Sequence, residues 1–320
     1  MLLLLVREGS FNMTLLQLKY IVKIVDCGSM NEAARALYIS QPALSSSVKE
    51  LERELNIEIF TRSTQGIALT ADGAEFLTYA RQVIEQADLL EERYKSTKPR
   101  PQLCSVATQH YMFAVEAFVE MIRSIHSDEY EFSIRETRTK NIIKQVSDMR
   151  ADLGILYLSD YNKDVIGKLL REKHLEFHPL FRAKLHVFLS RNNPLAVRKS
   201  LSLEDLKPYP FIQYEQGEEG SFFFAEEAVW PTRPPKKINV SDRATILNFI
   251  IGLNGYTVCT GIDNGDLNNE KIVTIPLECD DTMLVGWITN ERTKLSKASL
   301  AYLAQLKSVL TKHGYSLIDA

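Results

Sequence analysis

The stretch from Ser29 to Leu55 constrains this chain most, because it reads as a short helix, a tight turn and a longer helix. Ser29 stands three residues before Glu32, a capping-box spacing that starts a helix carrying Ala33, Ala34 and Leu37. Tyr38-Ile39-Ser40 forms the turn. Ser40 can cap the next helix, and Pro42 falls in its first turn, where a missing N–H costs little. That helix runs from Gln41 to Leu55 with Leu44, Val48, Leu51 and Leu55 on one side. At 3.6 residues per turn the opposite side presents Pro42, Ser46, Lys49 and Arg53, flanked by Ser45 and Glu50.

The flanks complete a small module. A helix over Leu15–Asp26 places Leu18, Ile21, Val22 and Val25 on one face and ends near Gly28. Asn56 follows the long helix and tolerates the left-handed conformation that a helix end often needs. Ile57–Phe60 then reads as a strand, Thr61–Gly66 as a polar turn and Ile67–Leu69 as a return strand. The expectation is a winged helix-turn-helix over 13–70, with the N-terminal turns of the long helix reaching DNA base edges. Gln41, Ser45, Ser46 and Lys49 are the candidate readers: Gln suits adenine, Lys suits guanine, and Ser is permissive. Pro42 can meet a thymine methyl, Arg53 lies on the same outer face, and Arg62 in the wing suits a phosphate. The same spacing also fits a protein-interaction module. Across 13–70 six basic residues balance six acidic ones, so any positive footprint is local and affinity has to draw on a second copy.

The run from Leu18 to Thr70 closely resembles the N-terminal domain of LysR-type transcriptional regulators. The matching blocks are Gly28–Ala34, Leu37–Ser45, Leu51–Leu55, Ile59–Arg62 and, just beyond, Leu69–Gly73. Asn56 stands where the family usually has Gly. The resemblance implies a double-stranded DNA operator as partner, self-association as a dimer or tetramer, and RNA polymerase as a further candidate partner.

From Ala71 to Lys95 the positions Phe76, Ala80, Val83, Ala87, Leu90 and Tyr94 alternate in steps of four and three, a heptad seam widened by Leu77 and Ile84. The linker and dimerisation helix is assigned to 71–97 and spans roughly 37 Å. An amphipathic helix packed on its own domain gives a similar stripe. The resemblance implies paired linker helices, and a dimer places two reading helices on an interrupted dyad. The Pro-rich Lys98-Pro99-Arg100-Pro101 ends the helix.

Beyond residue 102 helices and strands alternate, which predicts an α/β domain with mostly parallel sheet. Ala151–Ile155, Asn193–Ala196 and Ser202–Leu206 more weakly resemble the family's effector domain, itself similar to type 2 periplasmic binding proteins. The expected lobes are 102–178 with 278–320, and 179–277, crossing near His178-Pro179 and Pro276-Leu277. Asn254 adds a residue to the family's G-x-G run, and Thr260 replaces the usual Pro. Strand ends nominate Thr108, Gln109, Thr137, Arg138, Thr139, Tyr157, Gln213 and Thr260 for an effector pocket suited to a small anionic or polar metabolite.

Composition narrows the remaining classes. The chain has 320 residues, 45% of them apolar, and a net charge of -3, which disfavours a wholesale polyanion binder. Leu2–Val6 is too short for a secretory segment, residues 1–12 read as an extension, and no apolar run reaches the ~18 residues of a membrane span. The expected location is the cytoplasm. Cys27, Cys104, Cys259 and Cys279 lack C-x-x-C spacing and read as reduced thiols. His174 and His178 have no third ligand nearby. The acidic run Glu215-Gln216-Gly217-Glu218-Glu219 reads as a solvated loop. No nucleophile elbow, phosphate loop or dinucleotide fingerprint appears, so neither enzyme, cofactor nor metal is expected.

Overall fold

The computed structural model describes residues 13–63, 66–95, 102–126, 129–216, 222–227, 234–262 and 271–318. The extension 1–12, the break at 98–101 and Gly217-Glu218-Glu219 lie outside the described residues. The chain divides into two compact units, Met1–Arg100 and Pro101–Ala320.

In the first unit, α1 (Leu15–Cys27) starts at a capping box. The Thr14 hydroxyl accepts the Gln17 N–H at 3.2 Å, and the Gln17 side chain accepts the Thr14 N–H at 2.8 Å. Gly28 ends the helix at φ 64°. Leu18, Ile21 and Ile24 are buried, while Val22 and Val25 are only half-buried. Ile24, not the two valines, completes the inner face. Ser29 caps α2 (Met30–Ala36) through the Glu32 N–H, which is one half of the expected capping box. Ser40 accepts the Ala43 N–H at 3.3 Å and opens α3 (Gln41–Leu55), which Asn56 closes at φ 53°. The wing is β1 (Phe60–Ser63) paired antiparallel with β2 (Gly66–Leu69). Thr61–Ser63 is therefore strand, not turn, and Ile59 is buried as a core residue before the strand begins. Then follows α4 (Ala71–Lys95). Its start lies so close to the wing that a Cβ on Gly73 would stand 2.1 Å from the Ile59 carbonyl oxygen.

The second unit holds β3 (Gln102–Thr108), α5 (Met112–Ser124), β4 (Tyr130–Glu136), α6 (Thr139–Ser147), β5 (Leu153–Leu158), α7 (Lys163–Glu172), β6 (Leu175–Lys184) and β7 (His186–Ser190). It continues with α8 (Leu203–Leu206), β8 (Phe211–Tyr214), β9 (Lys237–Val240), α9 (Arg243–Leu253), β10 (Tyr256–Cys259), β11 (Ile272–Pro276), β12 (Thr282–Asn290) and α10 (Lys297–Lys312). Among the described residues these strands form two sheets, ordered β4-β3-β5-β12-β6 and β11-β7-β10-β8-β9. Successive β5 residues face opposite sides: Leu153, Ile155 and Tyr157 join the core under α5 and α10, and Leu156 joins the core under α6 and α7.

In each sheet four strands run one way and one runs against them, β12 in the first and β7 in the second. Each reversed strand is the first after a crossing between lobes. The first crossing is at Leu185, because β6 stays paired with β12 as far as Lys184. It does not fall at His178-Pro179. Pro179 lies inside β6, where the register slips opposite Val285/Gly286, and a bulge tolerates a residue with no N–H. The second crossing lies between Pro276, the end of β11, and Thr282, the start of β12 in the other sheet. The two crossings touch, the Leu277 N–H donating to the Leu185 carbonyl at 2.9 Å. The extra residue Asn254 takes the left-handed cap of α9 at φ 52°. Gly255 then meets β8, since a Cβ there would come within 2.5 Å of Ile212.

Candidate functional site

The outer face of α3 emerges as the spacing dictates. Leu44, Val48 and Leu51 are buried, while Pro42, Ser46, Lys49 and Arg53 are exposed and Gln41 and Ser45 half-buried. Arg62 pairs with Ile67 through the wing backbone; its side chain lies outside the described residues. Two residues of this surface escaped the sequence reading. Tyr38 holds a left-handed φ of 57° in the turn and is 96% exposed. Bulky side chains rarely adopt that conformation, so the turn sacrifices some stability to project the ring beside α3. Glu52 turns inward and accepts the N–H groups of Ile59 and Phe60 at 2.7 and 3.1 Å. One carboxylate thus fixes the wing against α3. A Glu four residues before Asn56 carries no sequence signal for such a contact.

The seam on α4 splits in two. Its first part serves the head: Leu77 and Ala80 are buried, and Phe76 packs against the α1–α3 core. Ala80 therefore leaves the exposed stripe, because α1 already covers it. Arg81–Asp26 at 3.0 Å and Lys19–Asp88 at 3.5 Å tie the same two helices together. The later part is uncovered, with Val83 49%, Leu90 60% and Tyr94 59% exposed, and Leu89 beside them. Ala87 is half-buried.

In the second unit the nominated residues Thr108, Gln109, Thr139 and Tyr157 do come together, all buried. The Gln109 amide donates to the Thr139 hydroxyl at 2.6 Å, and its oxygen accepts from the Tyr157 N–H and the Tyr111 hydroxyl. Their remaining capacity is not open to a cleft. A strap of the chain itself, 222–227, takes it. Thr139 donates to the Phe224 carbonyl at 3.0 Å, and the Tyr157 hydroxyl reaches the carbonyls of Ala225 and Glu227 at 3.0 and 3.2 Å. Phe224 itself is buried with Ala107, Ile142 and Leu156. Arg138 is also engaged, in an ion pair with Glu215. Thr137 bonds Asn141, Gln213 sits half-buried in β8, and the Thr260 carbonyl accepts from Tyr315. Thr137 meets the Gln109 cluster only through its backbone, its N–H donating to the Thr108 carbonyl at 2.9 Å.

The strap ends in two buried carboxylates. Glu226 accepts from the His110 N–H at 3.0 Å and lies 2.8 Å from His110 Nδ1, while the His110 ring stacks on Tyr214 with centroids 3.8 Å apart. Glu227 accepts the Tyr214 N–H at 2.8 Å. Burial, and next the charge of Glu226, pushes the Glu227 carboxyl up to about 8. Arg243 pairs with Glu136, and burial pulls its guanidinium down to about 10. His110, Tyr214, Glu226, Glu227 and Arg243 line a cavity of about 60 Å³ with Met112, Phe188, Ile246 and Thr257.

Other chemistry is thin. Among the described residues no three His, Cys, Asp or Glu side chains cluster as metal ligands. His178 instead stacks on Trp287. Burial raises Cys104 to about 11, which keeps that thiol a poor nucleophile. No described helix is long and apolar enough to cross a membrane.

Comparison with known proteins agrees with both units. The family described as bacterial regulatory helix-turn-helix protein, lysR family, matches residues 15–74, and the LysR substrate binding domain matches 108–311. The uncharacterized regulator YvbU of Bacillus subtilis is 27% identical over 66% of this chain and 69% of its own length. The dual regulator GltC of the same organism is 29% identical over 64% of this chain, and the match spans 66% of GltC. The nitrogen assimilation regulatory protein Nac of Escherichia coli is 46% identical over 72 residues, which is 22% of this chain and 24% of Nac. Among solved structures, a Corynebacterium glutamicum OxyR mutant shares the fold with a TM-score of 0.53 at 18% identity, covering 94% of each chain.

Proposed function

The chain belongs to the LysR family of DNA-binding transcriptional regulators with an effector-binding domain, and from that premise we propose that it binds an interrupted dyad operator as an oligomer. The carrying observation is the exposed edge of α3, where Pro42, Ser46 and Lys49 stand free of the core that Leu44 and Val48 fill. Gln41, Ser45, Ser46 and Lys49 would meet base edges, with Pro42 adding apolar contact, and Arg53 and Arg62 would meet phosphates. A neutral head binds weakly alone, so a second head adds what charge does not supply. The exposed α4 residues Val83 and Leu90, with Ala87 and Tyr94 at the same heptad spacing, are suited to pairing two chains.

The effector is read as acting between the lobes of the second unit. The touching crossings at Leu185 and Leu277 offer a hinge, the strap 222–227 also ties the lobes through Thr139 and Tyr157, and a ligand preferring one arrangement of the lobes shifts the population toward it. Selection of random DNA duplexes with the full chain tests the first claim. Enrichment of two inverted half-sites about one helical turn apart supports it; enrichment of a lone half-site, or of nothing, overturns it.

A further inference from the structure

Three unpartnered oxygens converge on the inter-lobe cavity. Glu226 Oε1, Glu227 Oε2 and Thr257 Oγ1 are buried without a hydrogen-bond partner, and all three residues line the same space, as does Arg243, whose Nε and Nη2 also lack hydrogen bonds while its charge is set against Glu136. Glu226 is 7% exposed and Glu227 3%. A buried polar atom left unpaired costs about 1–3 kcal/mol, and more when it is charged. Two such carboxylates side by side mark a site built for something that donates.

We propose that this cavity takes a small organic ammonium, R–NH₃⁺, as the ligand of the effector domain. The inference rests on reading that domain as a sensor. An ammonium head carries three N–H donors and no acceptor, which matches three orphan acceptors one for one. Its positive charge answers the carboxylates of Glu226 and Glu227. Its carbon end meets Met112, Phe188, Ile246 and Leu247 on the remaining wall.

The other ligand chemistries fit worse. An anion would lie against Glu226 and Glu227; the one guanidinium among the residues lining the cavity, Arg243, leaves Nε and Nη2 without hydrogen bonds, but its charge is set against Glu136. Arg138, whose guanidinium suggested an anion from sequence, is paired with Glu215. A metal ion needs three or four ligands of its own, and among the described residues no such cluster exists. Because Glu227 holds a proton up to about pH 8 in the unliganded site, ammonium binding also expels that proton to the solvent.

Calorimetric titration of the full chain with methylammonium and n-butylammonium, against acetate and n-butyrate as matched anions, tests this. The amines bind saturably, release protons that scale the heat with buffer ionisation enthalpy, and lose about tenfold or more in affinity in Glu227→Gln. Thr257→Val, which removes one acceptor and no charge, weakens them to a smaller degree and guards against a carboxylate variant that fails to fold. Binding of the carboxylates in place of the amines, or of neither class, overturns the proposal. Selected duplex DNA is titrated in parallel. Amines that bind without changing DNA affinity leave the ammonium site standing and defeat the sensor reading. Carboxylates that bind and change it do the reverse.

Discussion

The Glu52 carboxylate accepts the Ile59 N–H at 2.7 Å and so fastens the last turn of α3 to the entrance of the wing. It accepts the Phe60 N–H as well. The reading helix and the wing are thus set in one rigid frame by a single side chain. Glu52→Ala leaves two backbone donors without their charged acceptor, a loss of about 2 kcal/mol. Urea unfolding of the full chain should show a lower midpoint for the head transition. An unchanged midpoint would mean that water replaces the carboxylate at no cost.

Gly73 governs the next joint. With 2.1 Å between an added Cβ and the Ile59 oxygen, Gly73→Ala pushes the start of α4 off the wing. The expected destabilisation is about 3 kcal/mol, near the upper end for overpacking. DNA affinity falls with it, because the wing shifts relative to α3. Wild-type stability in this variant would show that the two elements part freely.

Lys49 and Arg53 lie one turn apart on the exposed face of α3, yet they should fail differently. Lys49→Ala removes a base contact, costs about 1–3 kcal/mol and relaxes preference at one position of the half-site. Arg53→Ala weakens all sequences alike and reduces the salt slope by about 1. Binding titrations at several salt concentrations, on the selected site and on scrambled DNA, separate the two. If both variants behave identically, α3 is docked in another register.

The head was legible in the sequence because its signals are local. Ser40, Pro42 and Asn56 act on their immediate neighbours, and the 3.6-residue period of Leu44, Val48 and Leu51 needs no distant partner. The lobes were legible as alternation, but not in their joints. Pro179 imitates a strand end, and only the bulge opposite Gly286 shows why β6 passes through it. The strap was illegible for a deeper reason. Its binding surface is made of Gln109, Thr139 and Tyr157, from three separate segments, so Phe222–Glu227 reads as an unremarkable loop until those segments are folded.

Glu227 sets a pH dependence of stability. Its carboxyl rises from the ordinary 4.5 to about 8 in the folded chain. The folded state therefore keeps a proton that the unfolded chain gives up. This contribution is full below about pH 4.5 and is lost as the pH climbs toward about 8, by up to ~1.4 kcal/mol per unit. Glu227→Gln mimics the protonated form and removes the slope. Paired urea unfolding curves across that window should show the variant gaining on the parent as pH rises; a constant difference contradicts the buried proton.

Two reading helices held on one operator by α4 form the central claim, and the uncovered pair Val83 and Leu90 is where it can be broken. The decisive measurement is sedimentation of a Val83→Glu/Leu90→Glu chain, with and without the selected duplex, beside the parent. The double variant should sediment as a folded monomer and lose binding to the dyad while the parent keeps both. A variant that is monomeric and still binds the dyad as tightly as the parent would contradict the account.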